Sequence, residues 1–171
     1  MQGVGMRTAA LTTGVVFLLD QASKVWVVQV MNLRERLAID VLPPFFNLRM
    51  AWNSGVNFGL FGGGAEITRW VLTALALAIS VGVWLWVRRM RAGASVQISA
   101  GLLIGGALGN VVDRLVYGAV ADFINMSCCG WQNPWAFNVA DIGIFAGAAG
   151  LFLFVGREGD AGDGAGRDKT P

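Results

Sequence analysis

The sequence predicts an all-α membrane protein built on four transmembrane helices. Hydrophobic residues make up 55% of the 171-residue chain and charged residues only 14%, whereas a soluble globule carries about a quarter charged residues. Mean hydropathy is +0.58. Four separate apolar stretches approach the roughly 20 residues that a helix needs to cross a bilayer. The length suits a single domain, expected over residues 1–155. The Gly- and Asp-rich tail at 156–171 contains no apolar run and is expected to be disordered in the cytoplasm.

The first span is expected at about 8–30. It is interrupted by Asp20, Gln21 and Lys24, and no small-x-small cleavage site follows it, so it does not read as a removable leader. A connecting segment at 31–66 follows. Within it, Phe45 to Trp52 has the apolar and aromatic content of a short strand or an interface-hugging segment. Pro43-Pro44 marks its start, and Gly62-Gly63-Gly64 marks a flexible end. The second span is expected at about 67–87, the third at 96–116 and the fourth at 139–155, with a polar segment at 117–138.

Basic residues flanking the spans set the orientation. Arg88, Arg89 and Arg91 separate spans two and three, Arg7 precedes span one and Arg157 follows span four. Arg34, Arg36, Arg49 and Arg69 are spread through the longer segment on the other side. Both termini are therefore expected in the cytoplasm, with segments 31–66 and 117–138 facing outward. Seven Trp and ten Phe suit interfacial belts and contact with membrane lipids.

Several function classes drop out at this stage. A net charge of +2 without a basic stripe gives no footprint for nucleic acid. Histidine is absent, which removes the Ser-His-Asp triad, the Cys-His pair and the HExxH zinc site. Cys128 and Cys129 are adjacent, a spacing that supports no four-ligand zinc site, and they read as loop residues without a catalytic role. No metal or cofactor is expected.

An ionised side chain at the bilayer centre costs roughly 2.5–3.5 kcal/mol on insertion scales, so each polar residue in a span needs a reason. Asp20 and Lys24 are four apart and share a helical face. They read as a self-compensating pair with Lys24 snorkelling to the outer interface, as a brace for a site, or as both. Asn110, Asp113 and Arg114 lie on one side of span three, after the small residues Gly105, Gly106 and Gly109 that permit close helix packing. Taken alone, Asp113 and Arg114 could be a structural pair ending the helix. Asn138 and Asp141 open span four with capping-box spacing. Asp122 sits in the apolar run Val120-Ala121-Asp122-Phe123-Ile124, either as an ordinary loop acid or as a partly buried one. Asn53, Gly55 and Asn57 are ordinary turn formers. Their convergence points to a site: Asp113, Asp122, Asp141, Asn53, Asn110 and Asn138 all map to the outer surface.

Five short boxes then appear in order. They are Asp20-Gln21-x-x-Lys24, Asn53-x-Gly55-x-x-Phe58, Gly109-Asn110-x-x-Asp113-Arg114, Val120-x-Asp122-Phe123 and Phe137-Asn138-x-Ala140-Asp141. Their order and spacing resemble the lipoprotein signal peptidases, also called the signal peptidase II family. Asn57 stands where that family has a small residue, and the Cys128-Cys129 pair is not a family feature. The resemblance implies four transmembrane helices with a small extracytoplasmic β-sheet and a short extracytoplasmic helix. It implies an aspartyl endopeptidase of the bacterial inner membrane. Such an enzyme cuts a diacylglyceryl-modified prolipoprotein just before the lipidated cysteine. It maps the catalytic pair onto Asp122 and Asp141, and substrate contacts onto Asn53, Gly55, Asn110, Arg114 and Asn138. Asp20, Lys24 and Asp113 become structural support, and the enzyme is expected to act as a monomer.

Two carboxylates in one site can hydrolyse a peptide without metal or histidine. Like charges in contact cannot both ionise cheaply, so the pair holds one proton. A small transporter or proton-relay protein is the alternative, since intramembrane acids also mark ion pathways. The apolar cytoplasmic halves of spans two to four argue against it. A non-catalytic scaffold would need no converging acids.

Overall fold

A computed structural model describes residues 6–55 and 64–164. Asn57, Phe58 and the expected flexible Gly62-Gly63 end lie outside the described residues. Helix α1 (Arg7–Lys24) continues into a π-helical segment, Val25–Val30. Then come α2 (Leu33–Arg36), β1 (Ala38–Leu42), β2 (Phe46–Asn53), α3 (Gly64–Met90), α4 (Ala94–Tyr117), β3 (Val120–Met126) and α5 (Val139–Gly164). Four helices are long and apolar enough to cross a membrane: Arg7–Val30, Glu66–Met90, Ala94–Tyr117 and Val139–Gly156. The expected spans at 67–87 and 96–116 sit inside α3 and α4. Helix α5 runs on to Gly164, past the Gly156 boundary at which the sequence places the tail.

Helix α4 is the centre of the bundle. Two-thirds of its apolar stretch (67%) is buried, against 28%, 17% and 22% for α1, α3 and α5. The reason is its row of small residues. A Cβ on Gly101 or Gly105 would run into the backbone carbonyl of Ala9 or Thr13 on α1. A Cβ on Gly106 would run into the carbonyl of Ala140 on α5, and one on Gly109 into the Asp20 carboxylate. Both neighbouring helices therefore pack backbone against α4, as small-residue faces allow in membranes. Gly106→Val is expected to push α5 off α4, because a carbonyl cannot rotate aside as a side chain can. Overpacking of this kind costs about 1–3 kcal/mol, read as a lower Tm in detergent.

The three strands form one antiparallel sheet in the order β1-β2-β3. Pro43, Pro44 and Phe45 make the turn between β1 and β2. Strand β2 pairs with β3 across a long sequence separation, with Ala51 opposite Asp122 and Asn53 opposite Val120. Val27, Val28, Leu33, Leu48, Ala121 and Phe123 form one buried apolar cluster. It seats the sheet on the π-helical end of the first span and on α2. Trp52 and Tyr117 add a ring contact at 5.5 Å between the end of β2 and the end of α4. Thus Asp122 stands on a strand, not in a loop. Ala121 and Phe123 turn into the apolar cluster, so the alternation of a strand sends Asp122 to the opposite face.

Candidate active site

Asp122 is buried, at 3% exposure. Its Oδ1 accepts from Asn138 Nδ2 at 2.6 Å and its Oδ2 from Asn53 Nδ2 at 3.0 Å. Burial pushes its carboxyl up to about 6, and the negative charge of Asp141 adds to the rise. The hydrogen bonds from Asn53 and Asn138 and the charge of Lys24 work the other way.

Asp141 comes from the first turn of α5. Asn138 Oδ1 accepts from the Asp141 N–H at 2.9 Å, and Asp141 Oδ2 accepts from the Asn138 N–H at 3.2 Å. This is the reciprocal capping box that the spacing predicts. The cap and the site coincide, because the same Asn138 reaches Asp122 with its amide nitrogen. Asn110 completes the link. Its Nδ2 donates to Asp141 Oδ1 at 2.9 Å, and its Oδ1 accepts from Asn138 Nδ2 at 3.2 Å. Asn138 thereby bridges the two carboxyl groups, with Asn53 and Asn110 at the outer oxygens.

Gly55 lies behind Asn53. Its N–H donates to Asn53 Oδ1 at 3.0 Å, which leaves the amide nitrogen of Asn53 free to face Asp122. Gly55 has φ of +93°, and a Cβ there would collide with Leu72 and Thr68 of α3. Both facts demand glycine.

A second buried layer supports the first. Lys24 Nζ lies 2.7 Å from Asp20 Oδ2 and 2.7 Å from Asp113 Oδ2, and donates to Asn110 Oδ1 at 3.3 Å. Lys24 is 6% exposed, so it does not snorkel. Two carboxylates on the bundle side outweigh hydration at the interface. Asp113 likewise pairs with Lys24 and not with Arg114. These acids also hold backbone: Asp20 Oδ1, the oxygen away from Lys24, accepts from the Ala140 N–H at 2.9 Å. Asp113 Oδ2 accepts from the Ala121 N–H at 3.1 Å. Each anchored N–H belongs to the residue just before Asp141 or Asp122. Gln21 also enters this layer, donating to Asp20 at 3.0 Å and to Asp113 at 3.3 Å. Gln21 has no role of its own assigned from sequence, although it stands in the first box, Asp20-Gln21-x-x-Lys24.

Arg114 stands at the rim. Its Nη1 donates to the Asn110 carbonyl at 3.4 Å, and its Nε has no partner among the described residues. It lines an open cleft of about 390 Å³ with Asn110, Asp141, Leu72 and Ile144. A second cleft of about 440 Å³ lies along Phe137, Asp141, Ile142 and Phe145 and is almost wholly apolar. Asp141 therefore lines both clefts, one between α3, α4 and α5 and one along the apolar face of α5.

A family model described as signal peptidase (SPase) II matches residues 12–156. The chain belongs to the signal peptidase II family. A lipoprotein signal peptidase of Methylobacterium sp. (strain 4-46) is 42% identical over 151 residues, covering 88% of this chain and 87% of that one. A lipoprotein signal peptidase of Nitrobacter hamburgensis is 36% identical over 149 residues, covering 85% and 90%. A solved bacterial membrane enzyme, determined by the in meso method at 1.9 Å resolution, superposes with a TM-score of 0.72. It is 25% identical and covers 86% of this chain and 92% of its own. A member of the signal peptidase II family is a peptide hydrolase, so the transporter and scaffold readings fall away.

Proposed function

We propose that this chain removes the signal peptide from diacylglyceryl-modified prolipoproteins, cutting before the lipidated cysteine, with Asp122 and Asp141 as the catalytic pair. The observation that carries the reading is the amide bridge Asp122–Asn138–Asn110–Asp141, which holds two carboxyl groups in one half-closed site. One carboxylate takes a proton from water as its oxygen attacks the scissile carbonyl. The other, protonated, donates to the carbonyl oxygen, and a proton then passes to the leaving amine. The pair titrates as a unit, so base and acid are not assigned to separate residues. Arg114, with an uncommitted Nε, is placed to hold a substrate carbonyl, and Asn53 and Asn110 orient the carboxyl groups around it. The apolar clefts on either side of Asp141 suit a substrate that carries acyl chains and an apolar signal segment.

The same reading puts the sheet and α2 on the outer surface of the bacterial inner membrane and both termini in the cytoplasm. The basic turn Arg88-Arg89-Met90-Arg91 supports that orientation. The proposal includes a monomer in contact with membrane lipids.

The test is cleavage of a diacylglyceryl-modified prolipoprotein by purified protein in detergent, with products read by mass. Cutting before the lipidated cysteine by wild type, and none by Asp141→Asn, is the expected result. An inactive wild type, or an active Asp141→Asn, overturns it.

The shared proton also sets the pH profile. With Asp122 at about 6, kcat/KM is expected to fall as pH rises through that value and the proton is lost. The Asn53 hydrogen bond favours the ionised carboxylate. Asn53→Ala is therefore expected to move the alkaline limb to higher pH, measured from kcat/KM profiles of both proteins. A limb that stays in place would separate Asn53 from the titration.

A further inference from the structure

A third cleft, with polar and apolar groups in about equal share, lies along the sheet. Its volume is about 790 Å³, within the range of roughly 300–1,000 Å³ that ligand sites occupy. Its floor is β2 from Asn47 to Ala51, and its far wall is the loop 130–136. Ala51, at one end, faces Asp122 across the sheet. At about 3.3 Å per residue, the floor leads roughly 13 Å away from the candidate active site.

The wall is fixed in place. Asn125 Nδ2 donates to the Asn133 carbonyl at 2.8 Å and to the Trp135 carbonyl at 2.7 Å. Ser127 Oγ accepts from the Asn133 N–H at 3.1 Å. On the floor, Asn47 is 6% exposed and donates to the Pro44 carbonyl at 3.2 Å. Its Oδ1 is buried and has no partner among the described residues. An orphaned buried acceptor is costly, and an incoming donor relieves that cost. The oxygen is closed to water, and rotation about the soft χ2 of asparagine turns it toward the cleft, exchanging the Pro44 contact for one with the incoming donor. The rim carries the exposed Asp40–Arg49 pair at 2.7 Å and the exposed ring of Trp131.

We propose that this cleft binds, in extended form, the polypeptide that continues from the carboxyl side of the scissile bond. The inference rests on the prolipoprotein reading above and names a subsite for it. Polarity sorts the substrate's parts. The clefts beside Asp141 are mostly apolar and are lined by membrane helices, so they suit acyl chains and the signal segment. A cleft lined by amides, a hydroxyl and an ion pair suits a hydrated backbone with its N–H and C=O groups. The peptide N–H groups supply the donor that Asn47 lacks, and Trp131 covers the chain.

Two substrates test this. Both carry the same signal peptide and lipidated cysteine; one ends two residues after the cysteine and the other continues for eight. Wild type is expected to show a KM about tenfold lower for the longer one, at similar kcat. Asn47→Leu and Trp131→Ala are expected to abolish that difference by raising KM for the long substrate alone. Trp131 is exposed at the rim, so its variant carries the test even if Asn47→Leu does not fold. Equal KM values for both substrates with wild type, or variants that weaken both substrates alike, overturn the subsite. Cleavage of neither substrate by wild type is a different failure, because it removes the peptidase reading itself.

Discussion

Asp122→Asn is expected to leave the fold in place and to lower peptide cleavage by about three orders of magnitude, within the span of general acid–base catalysis. The substitution keeps the shape of the side chain. Its one remaining oxygen can accept from Asn138 or from Asn53, which now donate to separate oxygens. One hydrogen bond to the carboxyl group is lost, worth about 1.5–3 kcal/mol where that group is ionised. The removal of a carboxyl that burial already holds near 6 offsets part of that cost. Chemistry is another matter, since an amide neither takes a proton from water nor gives one to an amine. The double variant sharpens the claim. Groups that act as one unit are strongly non-additive, so Asp122→Asn with Asp141→Asn is expected to be little slower than either single variant. Thermal unfolding in detergent reports the fold, and single-turnover cleavage reports the chemistry. Multiplying losses in the double variant would mean that the two acids act independently.

Much of the site was legible because its parts are short-range patterns. Asn138 and Asp141 three apart at the start of an apolar run predict a capping box, and the box forms. Asn110, Asp113 and Arg114, on one side of a helix behind a row of small residues, predict a polar face on a closely packed helix. The burial of α4 agrees. The strand at Phe45 to Trp52 was legible from its composition and became β2. What failed were questions of direction. An i,i+4 pair such as Asp20 and Lys24 has the same spacing whether it faces lipid, water or the bundle. Only the arrival of Asp113 from α4 turns Lys24 inward. Asp113 and Arg114 are neighbours in sequence, yet a helix sends consecutive residues about 100° apart, so one faces Lys24 and the other the rim. The residues alone left Asp122 between an exposed and a buried acid, because its strand is set by a pairing with β2 far away in sequence. The π-helical turn after Lys24 had no sequence signal, and we have no physical account of why the widening begins at Val25.

Lys24→Met is expected to be the most destabilising single substitution in the polar layer, at about 3–5 kcal/mol, the range for a buried ion pair that loses one partner. Asp20 and Asp113 are 0% and 1% exposed, and Lys24 is the cation between them. Methionine fills much of the same volume and supplies no charge, so the loss is electrostatic rather than a cavity. The damage reaches the active site by a short path. Asp20 holds the Ala140 N–H and Asp113 holds the Ala121 N–H. Carboxylates that drift apart therefore release the segments carrying Asp141 and Asp122 together. Residual activity of the folded fraction is expected to fall in kcat more than in KM, which simple loss of folded protein would not produce. Asp113→Asn added to Lys24→Met removes one of the two uncompensated charges and keeps an acceptor for Ala121. It is expected to restore about 1–3 kcal/mol, a coupling typical of directly contacting groups. The measurement is the thermal midpoint in detergent for wild type, both single variants and the double. A Lys24→Met protein as stable as wild type, or additive losses in the double, would show that the lysine does not bind the two acids into one brace. Wild-type stability would then rest on the glycine-lined contacts of α4 and on the buried apolar clusters. In that case Asp20 and Asp113 would be caps that act separately.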